Sequence, residues 1–310
     1  MKELRPPQTL RAYLAELRAP FFTASALPVL LGTAIAWVRE GLFQPSLFFL
    51  TLLGALLLHA GSNVINDFFD HLTGADEANR DFVRPFTGGS RLIQSGRLSP
   101  QQVLHEAIAL FALSCIIGAY LTARVGYGVL ALGAVGLLSG LLYTWPGFSL
   151  ASRGVGELTI GLNFGTLITL GAYYVQTGRF AWEPVVASLP LAVLIAAVVF
   201  INQFQDMKGD AAVGKRHWVV RLGRERSSLV YAMMLVFAYV WVVLAVTAKR
   251  LPVGSVAVAL TVPLAVKAVR VARVYHSVPQ ALAPANALTI VVHLAFGVLL
   301  SVSYLLVQRA

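Results

Sequence analysis

The chain contains roughly nine runs of mostly apolar residues, at about 20–38, 46–66, 103–122, 127–145, 157–176, 184–204, 229–248, 252–269 and 286–307. A helix needs about 20 such residues to cross the hydrocarbon core of a bilayer, and backbone amides in lipid must satisfy one another within the segment. These two constraints leave little besides a bundle of membrane-spanning helices. Of the 310 residues, 57% are hydrophobic and only 12% charged, against about 25% charged in an average soluble domain. The expected fold is all-α: one polytopic membrane domain over residues 1–310, with about nine helices around a central cavity. Near the N-terminus, Pro6 and Pro7 are not followed by a short apolar run with a small-residue cleavage site, so the first span is expected to be retained. Cys115 is the only cysteine, which excludes an internal disulfide and any multi-thiolate metal site.

The charges then orient the bundle. Of 24 Lys and Arg residues, only Arg39, Arg124, Arg179, Lys249, Arg250 and Arg309 fall in the loops of one side. The other 18 share the opposite side with the N-terminus, which the positive-inside asymmetry assigns to the cytoplasm. Nearly all acidic residues lie there too, Glu40 and Glu183 excepted. A net charge of +10 is thus spread along a membrane face, where it suits anionic lipid. No basic module stands apart from the membrane, so nucleic acid is not an expected partner.

Two acidic clusters sit where apolar runs end. Asn63, Asn66, Asp67 and Asp70 close the second run, with Asp76 six residues further on, and Asn202, Asp206 and Asp210 close the sixth. Spacings of three and four place each set on one helical face, and their repetition suggests two pseudo-repeated halves whose acidic faces meet. Carboxylates at a membrane exit are costly and read as functional, and paired Asp oxygens suit a hard divalent cation such as Mg2+. Motif one (63–76) leads into a polar loop at about 71–101, and motif two (202–210) into one at about 207–227. These loops hold Gly88-Gly89-Ser90-Arg91 and Gly214-Lys215-Arg216, flexible backbone combined with cations, as in phosphate-binding loops. The six histidines (His59, His71, His105, His217, His276 and His293) are too scattered for a metal-site spacing.

Such parts suit ionisation of an allylic diphosphate. Metal held by two carboxylate clusters neutralises the departing pyrophosphate, apolar helices keep water from the allylic cation, and an acceptor attacks it. On this chemistry Asp67, Asp70, Asp206 and Asp210 are the catalytic metal-binding residues, with Asn66 and Asp76 as further candidates. Together with the family resemblance set out next, the same chemistry makes Asn63 and Asn202 candidates for ligating metal or diphosphate, Lys215 and Arg91 for the diphosphate charge, Tyr143 for the cation through its ring face, and Arg18 for the acceptor carboxylate that the resemblance implies. Phe68, Phe69, Phe200 and Phe204 either line a prenyl channel or pack in the core.

Asn66-Asp67-Phe68-Phe69-Asp70 and Asp206-Met207-Lys208-Gly209-Asp210 resemble the two Asp-rich motifs of the UbiA superfamily of intramembrane prenyltransferases. The resemblance extends through Arg18-Ala19-Pro20, Pro28-Val29-Leu30-Leu31-Gly32, Tyr143-Thr144 with Pro146, Gly154-Val155-Gly156-Glu157 and Val220-Arg221-Leu222-Gly223, covering residues 15–225. It implies a Mg2+-dependent enzyme that transfers a polyprenyl group from its diphosphate to an acceptor. The position of Asp76 and the Tyr-Thr and Gly-Glu elements are most similar to the branch that prenylates 1,4-dihydroxy-2-naphthoate, with loss of CO2, in menaquinone synthesis. Gln205 and Phe86-Thr87-Gly88-Gly89-Ser90 depart from the usual family pattern, and 4-hydroxybenzoate, homogentisate, haem, chlorophyllide and a glycerol-phosphate lipid remain alternative acceptors. The location implied is a bacterial or archaeal inner membrane, Asp motifs facing the cytoplasm. A secondary transporter is the alternative from another class; it places acidic residues at midplane in broken helices.

Overall fold

A computed structural model describes residues 10–307; Lys2, Arg5 and Arg309 of the charge asymmetry lie outside the described residues. A short helix, α1 (Leu10–Glu16), precedes a single 3-10 turn at Ala19–Phe22. Among the described residues, nine helical segments are long and apolar enough to cross a bilayer. They comprise α2 (Thr23–Glu40), α3 (Pro45–Leu72), α5 (Pro100–Val125), α6 (Tyr127–Thr144), the composite Gly156–Thr177, α9 (Trp182–Ala212), α10 (Trp218–Thr247), the composite Val253–Tyr275 and α12 (Ala283–Leu305). A four-residue helix, α4 (Ala75–Ala78), lies in the loop between α3 and α5.

The apolar runs mark the spans, but several helices outlast them. α3 and α9 continue through their acidic motifs to Leu72 and Ala212, because residues spaced by three and four carry one polar stripe without interrupting the backbone ladder. Much of the second expected loop is accordingly helical. α9 ends at Ala212, α10 starts at Trp218, and only residues 213–217 link them. Gly223, with φ 75° and ψ 160°, breaks the first turns of α10, a conformation open to glycine and strained for other residues. The fifth span joins α7 (Gly156–Gly161), a π-helical stretch at Leu162–Leu167 and α8 (Ile168–Thr177). The eighth opens as a 3-10 segment, Val253–Thr261, before α11 (Val262–Tyr275).

Each motif-bearing helix pairs mainly with the long helix that follows it, α3 with α5 and α9 with α10. One hydrophobic cluster joins α2, α9, α10 and α12 around Leu31, Leu191, Tyr231 and Phe296; a smaller one joins α1, α3 and α5 around Val64, Val103 and Phe111. α5 and α6 turn Ile116, Val135 and Leu138 outward, as a lipid-facing surface requires. Close crossings fix the middle of the bundle. A Cβ built on Gly165, in the π-helical stretch, overlaps the Cα of Ala192 on α9, and one on Gly161 would lie 2.8 Å from the Ala192 carbonyl oxygen. Small residues at such crossings let backbones approach where lipid supplies no hydrophobic drive.

α1 docks with Ala12 and Glu16 buried. Neither carboxyl oxygen of Glu16 has a hydrogen-bond partner. Burial, followed by the charge of Asp67, pushes this carboxyl up to about 8, against the opposing charge of Arg18.

Two outcomes are expected. Gly165→Ala should lower thermal stability in detergent by about 1–3 kcal/mol through overpacking against Ala192, whereas Gly133→Ala, with nothing near its Cβ position, should gain up to about 1 kcal/mol from helix propensity. Because Glu16 holds its proton more tightly when folded than its ordinary value of 4.5 allows when unfolded, its contribution to stability is present at low pH and is lost as pH rises through about 8. Melting temperatures recorded between pH 5 and 8 should show this slope in the wild type and a weaker one in Glu16→Gln.

Candidate active site

α3 and α9, the second and sixth spans, run in the same direction, so their C-terminal turns and both acidic motifs reach the same end of the bundle. There Lys215, from the 213–217 link, joins them: its Nζ lies 2.7 Å from Asp70 Oδ1 and 3.4 Å from Asp210 Oδ1. Burial alone would lower the Lys215 ammonium, but the charges of Asp70 and Asp210 outweigh it and hold the group above its ordinary value. His217 approaches the same carboxylate, with Nε2 3.2 Å from Asp210 Oδ2. Its Nδ1 accepts the backbone N–H of Val220 at the start of α10, which leaves the ring proton on Nε2 to be donated to Asp210.

The 73–99 loop closes over this end from the other side. Gly88 and Gly89 take φ of 83° and 65°, and the turn brings the Ser90 amide to donate to Asp67 Oδ2 at 2.8 Å. A Cβ on Gly89 would sit 2.9 Å from Asp67 Oδ1, so glycine is required by both the backbone angle and the approach. Asn79 donates through Nδ2 to Asp206 Oδ1 at 2.6 Å. Asp81 pairs with Lys208 at 3.2 Å. Asp76, just before, is pushed up to about 8, first by burial and then by the charges of Asp67 and Asp70, and its Oδ2 accepts from Gln94.

Between the acidic end and the lipid-spanning middle lies a cavity of about 580 Å³, within the range of small-molecule sites. Of the sequence-derived candidates, Arg18, Asn63, Asn66, Asp70, Asp76, Tyr143, Asn202, Asp206, Asp210 and Lys215 line it. Away from the carboxylates the wall becomes apolar, with Leu132, Leu137, Leu167 and Ile195 among its residues. Asp67 is 2% exposed beneath Gly89, and its nearest cation is Arg18, 3.7 Å away.

One expectation changes, and one pair of alternatives is resolved. Arg91 does not face the cavity; its Nη2 donates to the Asp76 and Asn79 carbonyls at 2.7 Å each, and its guanidinium covers the Phe82 ring at 4.0 Å. The loop folds back on itself here and consumes the cation. Of the two alternatives for Phe68, Phe69, Phe200 and Phe204, packing is the one found: none of them lines the cavity. Phe200 and Phe204 are buried in the large cluster, while Phe68 and Phe69 pack on the smaller one, because residues adjacent to a motif on a helix point away from the motif's face. Gln205 likewise turns from the site to α12, donating to Asn286 Oδ1 at 2.8 Å, and Asn286 in turn donates to Asn202.

Sequence reasoning missed several polar groups on or around the cavity. Asn79 and His217 hold the acidic residues from loops and follow no spacing rule. Asn163, in the π-helical stretch, faces the cavity and accepts from Ser139 Oγ at 3.0 Å, and His59 also lines the cavity. A polar residue inside an apolar run was the only available signal for these last two.

The UbiA prenyltransferase family model matches residues 25–291. Among curated proteins, the chain is 28% identical over 298 residues to 2-carboxy-1,4-naphthoquinone phytyltransferase of Synechocystis, covering 96% of this chain and 94% of that one. It is 29% identical over 287 residues to 1,4-dihydroxy-2-naphthoate octaprenyltransferase of Bacillus subtilis, covering 92% and 89%. Among solved structures, a UbiA homologue from Aeropyrum pernix superimposes with a TM-score of 0.65 at 17% identity, over 90% of this chain and 97% of that one. A UbiA homologue from Archaeoglobus fulgidus, bound to DMAPP and Mg2+, gives 0.61 at 15% identity, over 95% and 99%. The motifs, the helical bundle and a family match across most of its length agree: this membrane-spanning chain belongs to the UbiA prenyltransferase family.

Proposed function

We propose that this prenyltransferase moves a polyprenyl group from its diphosphate to 1,4-dihydroxy-2-naphthoate, with loss of CO2, and does so with Mg2+ at an acidic end facing the cytoplasm. The observation that carries this reading is the convergence of Asp70 and Asp210 on Lys215 at the polar mouth of an otherwise apolar cavity. The curated relatives named for naphthoate chemistry support the choice of acceptor. The Archaeoglobus homologue bound to DMAPP and Mg2+ supports the choice of donor and metal.

The donor set fits a hard cation. It consists of carboxylate and amide oxygens, and Asp67 Oδ1 is buried with no hydrogen-bond partner. Among the described residues no three acidic or His/Cys groups form a ready cage for one ion. That is consistent with Mg2+, which typically binds through one or two carboxylates and completes its shell with water and substrate phosphates. Asp67, Asp70, Asp206 and Asp210 would hold it, with Asn66 and Asp76 beside them. When bound, the metal offsets the charge of the departing diphosphate.

The protein's own groups supply the rest. Lys215 moves from its two carboxylate partners toward diphosphate oxygens, and Asn63 and Asn202 line the same stretch of wall. His217 and Asn79 keep Asp210 and Asp206 in place. Tyr143 presents a ring to the allylic carbon, and Arg18 reaches the acceptor carboxylate. The Gly88–Ser90 turn covers Asp67, while the apolar wall receives the prenyl tail and excludes water from the cation. Acidic residues at helix ends, with none among the described residues in the middle of a span facing this cavity, favour this reading over ion-coupled transport.

Membranes expressing the chain, given radiolabelled geranylgeranyl diphosphate and Mg2+, should convert 1,4-dihydroxy-2-naphthoate to a prenylated, decarboxylated naphthoquinol. Transfer to 4-hydroxybenzoate alone would refute the acceptor. Asp67→Asn and Asp206→Asn should each lower turnover by roughly 10²–10³ while eluting as folded protein; wild-type turnover in both would remove the metal assignment. Lys215→Gln should raise KM for the prenyl diphosphate by roughly 10- to 100-fold, the worth of a hydrogen bond to a charged group, and leave the acceptor KM near its wild-type value.

A further inference from the structure

His59 is used by none of the steps above, yet it stands in the cavity. It lies on α3 one turn before Asn63 and two before Asp67, on the same face and farther into the span. A rise of 1.5 Å per residue puts it about 12 Å along the helix from Asp67, on the side toward the apolar part of the cavity. The residue is 6% exposed and lines the cavity. Its Nδ1 is 2.9 Å from Ser25 Oγ on α2. Phe164 packs edge-on with ring centroids 4.5 Å apart, and Phe22 lies 5.5 Å away. Phe22 ends the short 3-10 turn that follows Arg18, so the cation expected at an acceptor carboxylate and the imidazole border one region of the cavity. An ionisable side chain placed inside a span and turned to a cavity reads as functional.

We propose that His59 binds the ring hydroxyl adjacent to the acceptor carboxylate and holds its proton while the new carbon–carbon bond forms. With Nδ1–H donating to Ser25 Oγ, Nε2 presents its lone pair to the cavity. The allylic C1–O bond breaks and its electron pair leaves with the diphosphate. The ring carbon bearing the carboxylate forms the bond to C1, the adjacent hydroxyl becomes a carbonyl, and its proton passes to Nε2. The resulting β-keto carboxylate loses CO2; the pair from that bond restores the ring, and the oxygen takes the proton back from Nε2. No oxidant or reductant is consumed. Ser25 is a positioning residue, since it acts through the imidazole. This step rests on the aromatic acceptor proposed above.

Purified wild type, His59→Ala, His59→Gln and Ser25→Ala can be compared for equilibrium binding of 1,4-dihydroxy-2-naphthoate and of 4-hydroxy-2-naphthoate, which lacks only the relevant hydroxyl. Binding of geranylgeranyl thiodiphosphate and steady-state turnover are measured alongside. The wild type should prefer the dihydroxy compound at least about tenfold, since a site built to hydrogen-bond a hydroxyl rejects the analogue without it. His59→Ala should bind both naphthoates alike, keep its affinity for the thiodiphosphate within about twofold, and lose roughly 10²–10⁴ in kcat, the usual worth of a positioned proton acceptor. His59→Gln, which can hydrogen-bond but not take the proton, should recover part of the preference but not the kcat. An unchanged preference in both His59 variants, or equal loss of thiodiphosphate binding, would overturn the proposal. If the wild type prenylates only 4-hydroxybenzoate, whose hydroxyl stands para to the carboxylate and not adjacent to it, the naphthoate reading fails and takes this step with it; turnover of the dihydroxynaphthoate with unchanged discrimination in the His59 variants overturns the step alone.

Discussion

Everything at the polar end of this protein depends on keeping several carboxylates together in a poorly hydrated place. Like charges so arranged repel, and burial makes each costlier to ionise. Lys215 is the protein's own answer. It reaches Asp70 on α3 and Asp210 on α9 at once, linking the two long helices that carry the acidic motifs across 140 positions of sequence. Arg18, 3.7 Å from Asp67, adds a second cation, and two cations do not balance four carboxylates. On the function proposed above, the surplus negative charge and the Asp67 oxygen that accepts no hydrogen bond are what a divalent cation would meet.

The loops around this end form a fitted cover. The turn at Gly88 and Gly89 sits on Asp67, Asn79 sits on Asp206, and Arg91 ties the loop to itself. A long loop with these contacts keeps its shape without regular structure and covers Asp67, while Asp70, Asp206 and Asp210 line the cavity. Behind it, crossings at Gly161 and Gly165 hold the fifth span against α9. The π-helical stretch at this crossing turns Asn163 toward the cavity, as such irregular turns often do at functional positions. The result is one chamber with a charged mouth and an oily interior, the pairing of properties that a prenyl diphosphate itself possesses.

Much of this was legible in the residues. Nine apolar runs announced nine spans, because lipid leaves a backbone no other way to satisfy its amides. The four aspartates were legible because charge beside lipid needs a cause and their spacing defines a face. Helix ends were less legible: α3 and α9 run past their apolar stretches, since polarity along one stripe does not stop a helix. Arg91 illustrates a different limit. Its neighbours Gly88 to Ser90 pointed to a phosphate-binding loop, but the fold brought the carbonyls of Asp76 and Asn79 to its guanidinium, and no local pattern encodes that meeting. His217, Asn79 and Gln205 belong to the same class, side chains whose partners lie on other elements.

The sequence by itself determined that the chain spans a membrane, how many times, and which carboxylates share a helical face, because hydrophobic length and helical periodicity are local properties. Which cation meets which carboxylate was decided only by the tertiary structure. So were the phenylalanines that pack away from the cavity, and the setting of His59 between Ser25, Phe22 and Phe164. Those outcomes depend on how long helices cross and where loops return, and contacts between residues far apart in the chain are set by the packing of the whole bundle.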